Sequence, residues 1–562
     1  MTFSEMVYTR PDLEEIKNLA AVTLSKIESA SNVQEQICAY REFDEKNNEV
    51  STACNLAYIR HTIDTIDPFY DAENSYIDQI TPLLQDMVQQ IHFALLQSRF
   101  RPELEAQLGR LLFTNLEISV RTMKSDILEL MQEENQLQSA YQKLCASAAV
   151  EWNGERIPLP KLGTFKQSPD RTIRRAAYEA EGRWFDDHQE DLDLLYDRLV
   201  KNRTAQGRTM RYKNFIPLGY DRLGRNCWGQ DQAASFRRQI AEDLVHVRAR
   251  KKKNHERRLG VDKLKFYDDT LLFPDGNAAP QGTAEDILAA GRETYHELSA
   301  ETADFVDFLY EMELLDVHSR EGKAPGGYCT DLAVYKAPFI FSNFNGTSSD
   351  VNVLTHEAGH AFAIYRAARK PYPSILKNPT LEACETHSIT MEFLTAPWHH
   401  RFFGPLTGKH EIGHCEDGLS FLSYCCMVDE FQHLIYGSPD MTPAQRNETW
   451  LTLEGKYRPW TDFDNLPFYS RGAGWQSKLH IYQMPFYYID YGMAQTVAFQ
   501  LWLASMDDRD DAWARYLRFV DAAGTKTFAD LVETAGMKLP YAPDCIKEVG
   551  QAVSAWLDKN PL

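Results

Sequence analysis

From Arg10 to about Val200, apolar residues recur at steps of three and four, the spacing of one face of an α-helix. Leu13, Ile16, Leu19, Ala20, Leu24 and Ile27 mark one such stripe, and Leu104 to Ser147 carries others. Proline is sparse here; the exception, Ile157-Pro-Leu-Pro160, reads as an extended connection. Later, β-branched and aromatic residues gather in short runs, at Leu264 to Tyr267, Leu271 to Phe273 and Pro338 to Phe344. These predict a small sheet in an otherwise helical second lobe. The pattern places the boundary near residue 200, with a helical N-terminal lobe over 1–200 and a second lobe over 201–562. No repeat of fixed period is present.

A chain of 562 residues exceeds one ordinary hydrophobic core, so two or more lobes are expected on length as well. Net charge is −21, from 60 basic and 81 acidic residues. That balance disfavours a nucleic-acid partner, which needs concentrated positive charge. The basic run Arg248 to Arg258 reads as a solvated helix face. The opening residues MTFSEMVYTRPDLEEI carry early acids and no apolar segment, unlike a signal peptide. The longest uncharged stretch, Tyr491 to Met506, is short for a membrane span, so no membrane partner is expected. Ten scattered cysteines with no C-x-x-C pair argue against a disulfide framework and for a reducing cytoplasm.

The pattern H-E-x-x-H occurs twice, as HEAGH at His356 to His360 and HEIGH at His410 to His414. On a helix its two imidazoles share a face and can hold one zinc ion, with the glutamate between them as a base. The first copy follows Ser348, Ser349 and Asp350, any of which can cap a helix that Pro371 stops. Val353, Leu354, Ala358, Ala361, Phe362 and Tyr365 give it core-facing positions. The second has glycines at 408, 413 and 418, which predict about two helical turns with few apolar anchors. A catalytic zinc site also wants a third protein ligand and one open position. Downstream of the first copy, a helix that Pro379 opens and Pro397 ends offers Glu382, Glu385 and Glu392 on one face. The carboxylates after the second copy have no such context. HEAGH is therefore taken as the site and HEIGH as coincidence.

These blocks resemble the thimet oligopeptidase and oligoendopeptidase F family of zinc metallopeptidases, more closely its oligoendopeptidase F branch. Asn345 to Phe362 is similar to the family's metal helix and the turn before it. Glu385, twenty-five residues beyond His360 and seven before Glu392, matches the family's glutamate ligand. His480-Ile-Tyr-Gln-Met-Pro-Phe-Tyr-Tyr-Ile-Asp-Tyr491 is similar to its histidine and tyrosine helix. The likeness covers about residues 200 to 555, and the N-terminal lobe more loosely.

The resemblance implies a mainly α, zincin-like fold with a small β-sheet beside the metal site and two helical lobes enclosing a deep channel. It implies one Zn2+ per chain on His356, His360 and Glu385, with Glu357 moving the proton of a metal-activated water. Glu382 and Glu392 are then supporting or solvated carboxylates, one of which orients a ligand imidazole, and His387 is structural. His480, Tyr488 and Tyr491 face the oxyanion, ahead of Tyr482 and Tyr487. Phe339 to Phe344 is expected as an exposed strand that pairs with substrate backbone, with Gly326-Gly-Tyr328 bordering the same cleft. The expected activity is cleavage of internal bonds in short peptides. The alternatives are a zinc carboxypeptidase of related fold, which needs a cation to hold a terminal carboxylate, or an inactive peptide-binding protein, against which the intact Glu357 argues.

Overall fold

A computed structural model describes residues 1–560, the side chain of Ser125 excepted. The chain is mainly helical, as the hydrophobic spacing predicts, with two small sheets where the spacing predicts one. It forms two compact units, each assembled from three separated stretches. The first unit takes Met1–Val120, Ala279–Thr407 and Val497–Met537; the second takes Arg121–Ala278, Gly408–Thr496 and the residues from Lys538 onward. No helix among the described residues is long and apolar enough to cross a membrane.

In the first unit, helix Leu13–Ser29 starts where the Asp12 carboxylate accepts from the backbone N–H groups of Glu14 and Glu15. Its stripe works as its spacing requires. Ala20 and Ile27 are buried, and Leu13, Ile16, Leu19 and Leu24 pack at the margin of a core that includes Tyr40, Phe43, Ile91, Leu95, Phe113 and Leu116. The same unit holds a three-stranded sheet in the order β3-β5-β4, built from β3 (Leu315–His318), β4 (Tyr328–Leu332) and β5 (Ala337–Phe344). Strand β5 pairs in parallel with β3 and antiparallel with β4, so that Ile340 lies opposite both Leu315 and Cys329.

Phe339 to Phe344 is thus the central strand and not an exposed one. Its residues are buried except at Asn343, and both its edges are taken. The apolar run Ala337 to Phe341 within it suits a strand covered on two faces. The other two runs are not strands. Phe266–Asp268 is a 3₁₀ turn, and Leu271 to Phe273 has no regular structure. Side chains replace the ladder there: His255 Nε2 lies 2.7 Å from Leu271 O, Arg258 Nε donates to Leu272 O at 2.6 Å, and the Leu272 N–H donates to Asn277 Oδ1.

The second unit contains a hairpin of β1 (Ala149–Trp152) and β2 (Glu155–Pro158) that the helical reading passes over. Its turn, Asn153-Gly154, has φ of 51° and 83°, the left-handed pair that an Asn-Gly hairpin turn demands. Two further expectations fail in this unit. HEIGH does not lie on a short helix but within Thr407–Gly437, a single helix of 31 residues that runs through all three glycines. A glycine costs a helix about 1 kcal/mol, an amount that packing readily outweighs. Here Gly413 admits a close neighbour, since a Cβ there would stand 2.9 Å from Leu272 Cδ1. The basic run is not merely a solvated face either. Arg248, Lys251, Lys252 and His255 are buried, with Lys251 paired to Asp558 and Lys252 to Asp269.

Candidate metal centre

HEAGH lies in the middle of helix Ser348–Ala368, in the first unit. Thr347 is its N-cap residue, with no side-chain cap. The Asp350 carboxylate instead accepts from the backbone N–H groups of Asn345 and Gly346, at 2.9 and 2.7 Å, and so holds the turn that leads into the helix. Leu354, Ala358, Ala361 and Phe362 are buried as their spacing predicts, while Val353 and Tyr365 are only half-buried. The Phe362 ring meets Phe305 and Tyr516. Burying a side chain of that size contributes about 1.5–3 kcal/mol, enough to fix the helix rotation and with it the direction of His356 and His360. Strands β4 and β5 pack against this helix, placing the small sheet beside the histidines.

The glutamate-bearing helix, Leu381–Leu394, crosses the HEAGH helix at Gly359. A Cβ at that position would stand 2.6 Å from both His387 O and Ser388 Cα, so the fourth residue of the motif must lack a side chain for the backbones to meet. This crossing brings Glu385 opposite the two imidazoles. Glu385 Oε2 lies 3.4 Å from His356 Nε2 and 3.7 Å from His360 Nε2. Two donors bonded at about 2.0–2.1 Å to one tetrahedral ion stand about 3.3–3.4 Å apart, so these separations fit a shared cation. His356, His360 and Glu385 offer ligand atoms all within 4.8 Å of one another, the only such group of three or more among the described residues.

Supporting contacts hold this set in place. Glu392 Oε1 lies 2.7 Å from His356 Nδ1, which turns the Nε2 atom toward the donor cluster. Ser388 Oγ donates to Glu385 Oε2 at 3.2 Å. Glu357 is 8 % exposed, and its Oε2 has no hydrogen-bond partner. Burial, opposed by His356 and reinforced by Glu385 and Glu392, pushes its carboxyl up to about 7. Burial also pushes His360 down to about 4, leaving it neutral and able to ligate. For His356 burial acts in the same direction, but its bonds to Glu385 and Glu392 prevail and raise it.

The remaining glutamate and histidine of this helix stand apart from the donor set. Glu382 is fully buried and so is not a solvated carboxylate. His387 is buried, pushed down to about 3 by desolvation, and lies against Phe519 while its carbonyl accepts from the Tyr516 hydroxyl. That is a packing role. His410 and His414 lie in the second unit with their rings 5.7 Å apart, and they join no metal-competent group among the described residues.

His480, Tyr488 and Tyr491 also gather in the second unit. The His480 ring is 4.8 Å from Tyr488 and 6.0 Å from Tyr491, and the two tyrosines are 5.8 Å apart. Phe421, on the HEIGH helix, packs on both tyrosines. Tyr482 belongs elsewhere: fully buried, it stacks on Tyr141 at 3.9 Å. Sequence reasoning missed Lys478 in this cluster. Its ammonium donates to Tyr488 Oη at 3.3 Å and lies over the rings of Tyr424 and Tyr488. The available signal was its place two residues before His480.

Comparison with known proteins points one way. Residues 164–551 match peptidase family M3, and residues 3–123 match the peptidase M3 N-terminal domain. A solved structure of PZ peptidase A with an inhibitor superposes with a TM-score of 0.95 at 43% identity, over 99% of both chains. One from Bacillus anthracis, provisionally named oligoendopeptidase F, gives 0.90 at 40% identity, over 100% of this chain and 98% of the other. Oligopeptidase PepF of Bacillus subtilis is 22% identical over 72% of this chain. The match spans only 60% of that relative's own length.

Proposed function

Because the chain belongs to peptidase family M3, we propose that it is a zinc-dependent endopeptidase of short oligopeptides, working in the cytoplasm. The observation that carries this reading is the His356, His360 and Glu385 donor set with the unpartnered Glu357 oxygen beside it. Two imidazoles and one carboxylate suit zinc, and three protein ligands leave a fourth position open. When bound, the ion supplies Lewis acidity and lowers the pKa of a water toward about 7.

Glu357 then takes a proton from the attacking water at its carboxylate oxygen and delivers it to the leaving amine. Glu392 holds the His356 ring through Nδ1, and Ser388 steadies the Glu385 carboxylate. Negative charge develops on the carbonyl oxygen during attack, and hydrogen-bond donors matched to it lower the barrier. His480 and Tyr491 are the donors we assign, on the resemblance of their block to the family's histidine and tyrosine helix. The oligopeptide substrate is taken from the relatives' names. The compartment is supported by ten scattered cysteines with no C-x-x-C pair.

Zinc-loaded protein incubated with a peptide library, read by mass spectrometry, is expected to cut internal bonds of short peptides and spare folded proteins. Release of single residues from one end would move the reading to a carboxypeptidase. Tyr491→Phe removes one hydroxyl and little volume. It is expected to lower kcat by roughly 10²–10³ with a smaller change in KM. An unchanged kcat at an unchanged melting temperature would return Tyr491 to a packing role.

A further inference from the structure

Lys478 immediately precedes the short helix Leu479–Gln483, and no ion pair among the described residues includes it. Four other cations of the same unit that leave water pair with an acid, whereas the buried Arg248 donates only to Ser420 Oγ. Arg174 pairs with Asp268 at 2.7 Å, Arg203 with Glu134 at 2.6 Å, Arg225 with Asp490 at 3.0 Å and Lys252 with Asp269 at 2.7 Å. Lys478 has instead the Tyr488 hydroxyl oxygen at 3.3 Å and the faces of Tyr424 and Tyr488, each 5.1 Å from its nitrogen. Desolvation without a counter-charge lowers its ammonium to about 8. Ring faces compensate a cation only in part. Withdrawing a charge from water with no acid beside it is unfavourable, and such positions concentrate where a ligand supplies the missing charge.

The donors indicate what that ligand is. An ammonium has three N–H groups, and one of them is used on Tyr488. Tyr488 is itself buried, and desolvation raises its hydroxyl well above the usual phenol range, so it stays protonated and able to donate. Because its oxygen already accepts from Lys478, its own proton is directed elsewhere. A cation and a neutral hydroxyl side by side, without an acid, complement a planar anion with two oxygens. Every linear peptide with an unblocked end carries one such anion, its C-terminal carboxylate, whereas acidic side chains occur only in some sequences.

We propose that Lys478 and Tyr488 form a carboxylate subsite that takes the free C-terminus of a short peptide substrate. The inference rests on the peptidase reading for its ligand class. It assigns Tyr488 to substrate binding and leaves the oxyanion to His480 and Tyr491.

The test separates binding from turnover. One peptide sequence is prepared as the free acid, as the C-terminal amide, and as an amide carrying one internal glutamate. Binding of each to zinc-loaded Glu357→Gln protein is measured by titration calorimetry. The free acid is expected to bind at least about tenfold tighter than the amide, the change that one lost charge-assisted hydrogen bond brings. Lys478→Met should bring the ratio near one, and Lys478→Arg should keep most of it. Equal binding of acid and amide, or no measurable binding of either, would overturn the proposal. So would equal weakening of both by Lys478→Met, which would make Lys478 a support for Tyr488. Tight binding of the internal-glutamate amide would make the ligand an acidic side chain and overturn the terminal assignment. The same peptides offered to the unsubstituted protein keep the two readings distinct. An acid preference without cleavage would sink the peptidase reading and leave the subsite standing. Thermal melting of the Lys478 variants confirms folding, which removal of an uncompensated charge should not impair.

Discussion

Glu357→Gln is expected to retain one metal per chain and to lose activity by about 10²–10⁴, the usual worth of a positioned acid or base. The substitution keeps shape and volume, so the HEAGH helix and its ligands should be undisturbed. What it removes is proton affinity. An amide cannot accept a proton from water and cannot deliver one to a leaving amine, so both halves of the reaction lose the same group. The structure makes Glu357 the candidate on two counts. It stands between the two ligand imidazoles in sequence without joining the donor set, and its Oε2 is buried with no other partner to satisfy. Turnover of a quenched fluorescent peptide, measured beside metal content, is the check. Near-normal kcat with the metal bound would place the base on another residue.

The second large effect is on metal content. His356→Ala should abolish stoichiometric binding, because it takes one of the three proposed ligands and also frees Glu392, whose 2.7 Å contact with Nδ1 holds that ring. Loss of a hydrogen-bonded support alone typically costs 10–100-fold in metal affinity, and loss of a ligand should exceed that. His410→Ala should retain one metal per chain, since His410 and His414 find no third donor among the described residues. Metal analysis of dialysed protein, with melting temperature as the folding control, distinguishes the two. Retention by His356→Ala together with loss by His410→Ala would transfer the centre to the second copy.

Helix length does not favour HEAGH over HEIGH, contrary to what the glycines around HEIGH predict. HEIGH occupies a helix of 31 residues, longer than the 21 of the HEAGH helix. Glycine is a poor guide where a helix is packed on several sides, because tertiary contacts outweigh about 1 kcal/mol per residue. What distinguishes the copies is the crossing partner. Gly359 lets the Glu385 helix approach to within contact of the HEAGH backbone, whereas Gly413 meets the side chain of Leu272.

Local spacing by itself determined a good deal. Apolar steps of three and four located the N-terminal helices, because such a stripe has one stable solution, burial against a neighbour. The four-residue step in HEAGH put two imidazoles on one face, and the glutamate helix followed from its turn residues and periodicity. The choice of Glu385 among three glutamates came from family resemblance, since periodicity put all three on one face. Contacts remote in sequence decided the rest. A mostly apolar run such as Pro338 to Phe344 can sit at an edge or a centre until its neighbours are known, and only the pairing with β3 and β4 made it central. Two compact units each made of three stretches are a division of another kind from a single cut near residue 200, and no local pattern records which stretches join. The hydrogen bond that Glu392 accepts from His356, the missing partner of Glu357 and the acid-free surroundings of Lys478 are likewise matters of which side chains meet. Periodicity reports which face of an element is buried. Only packing reports what lies against it.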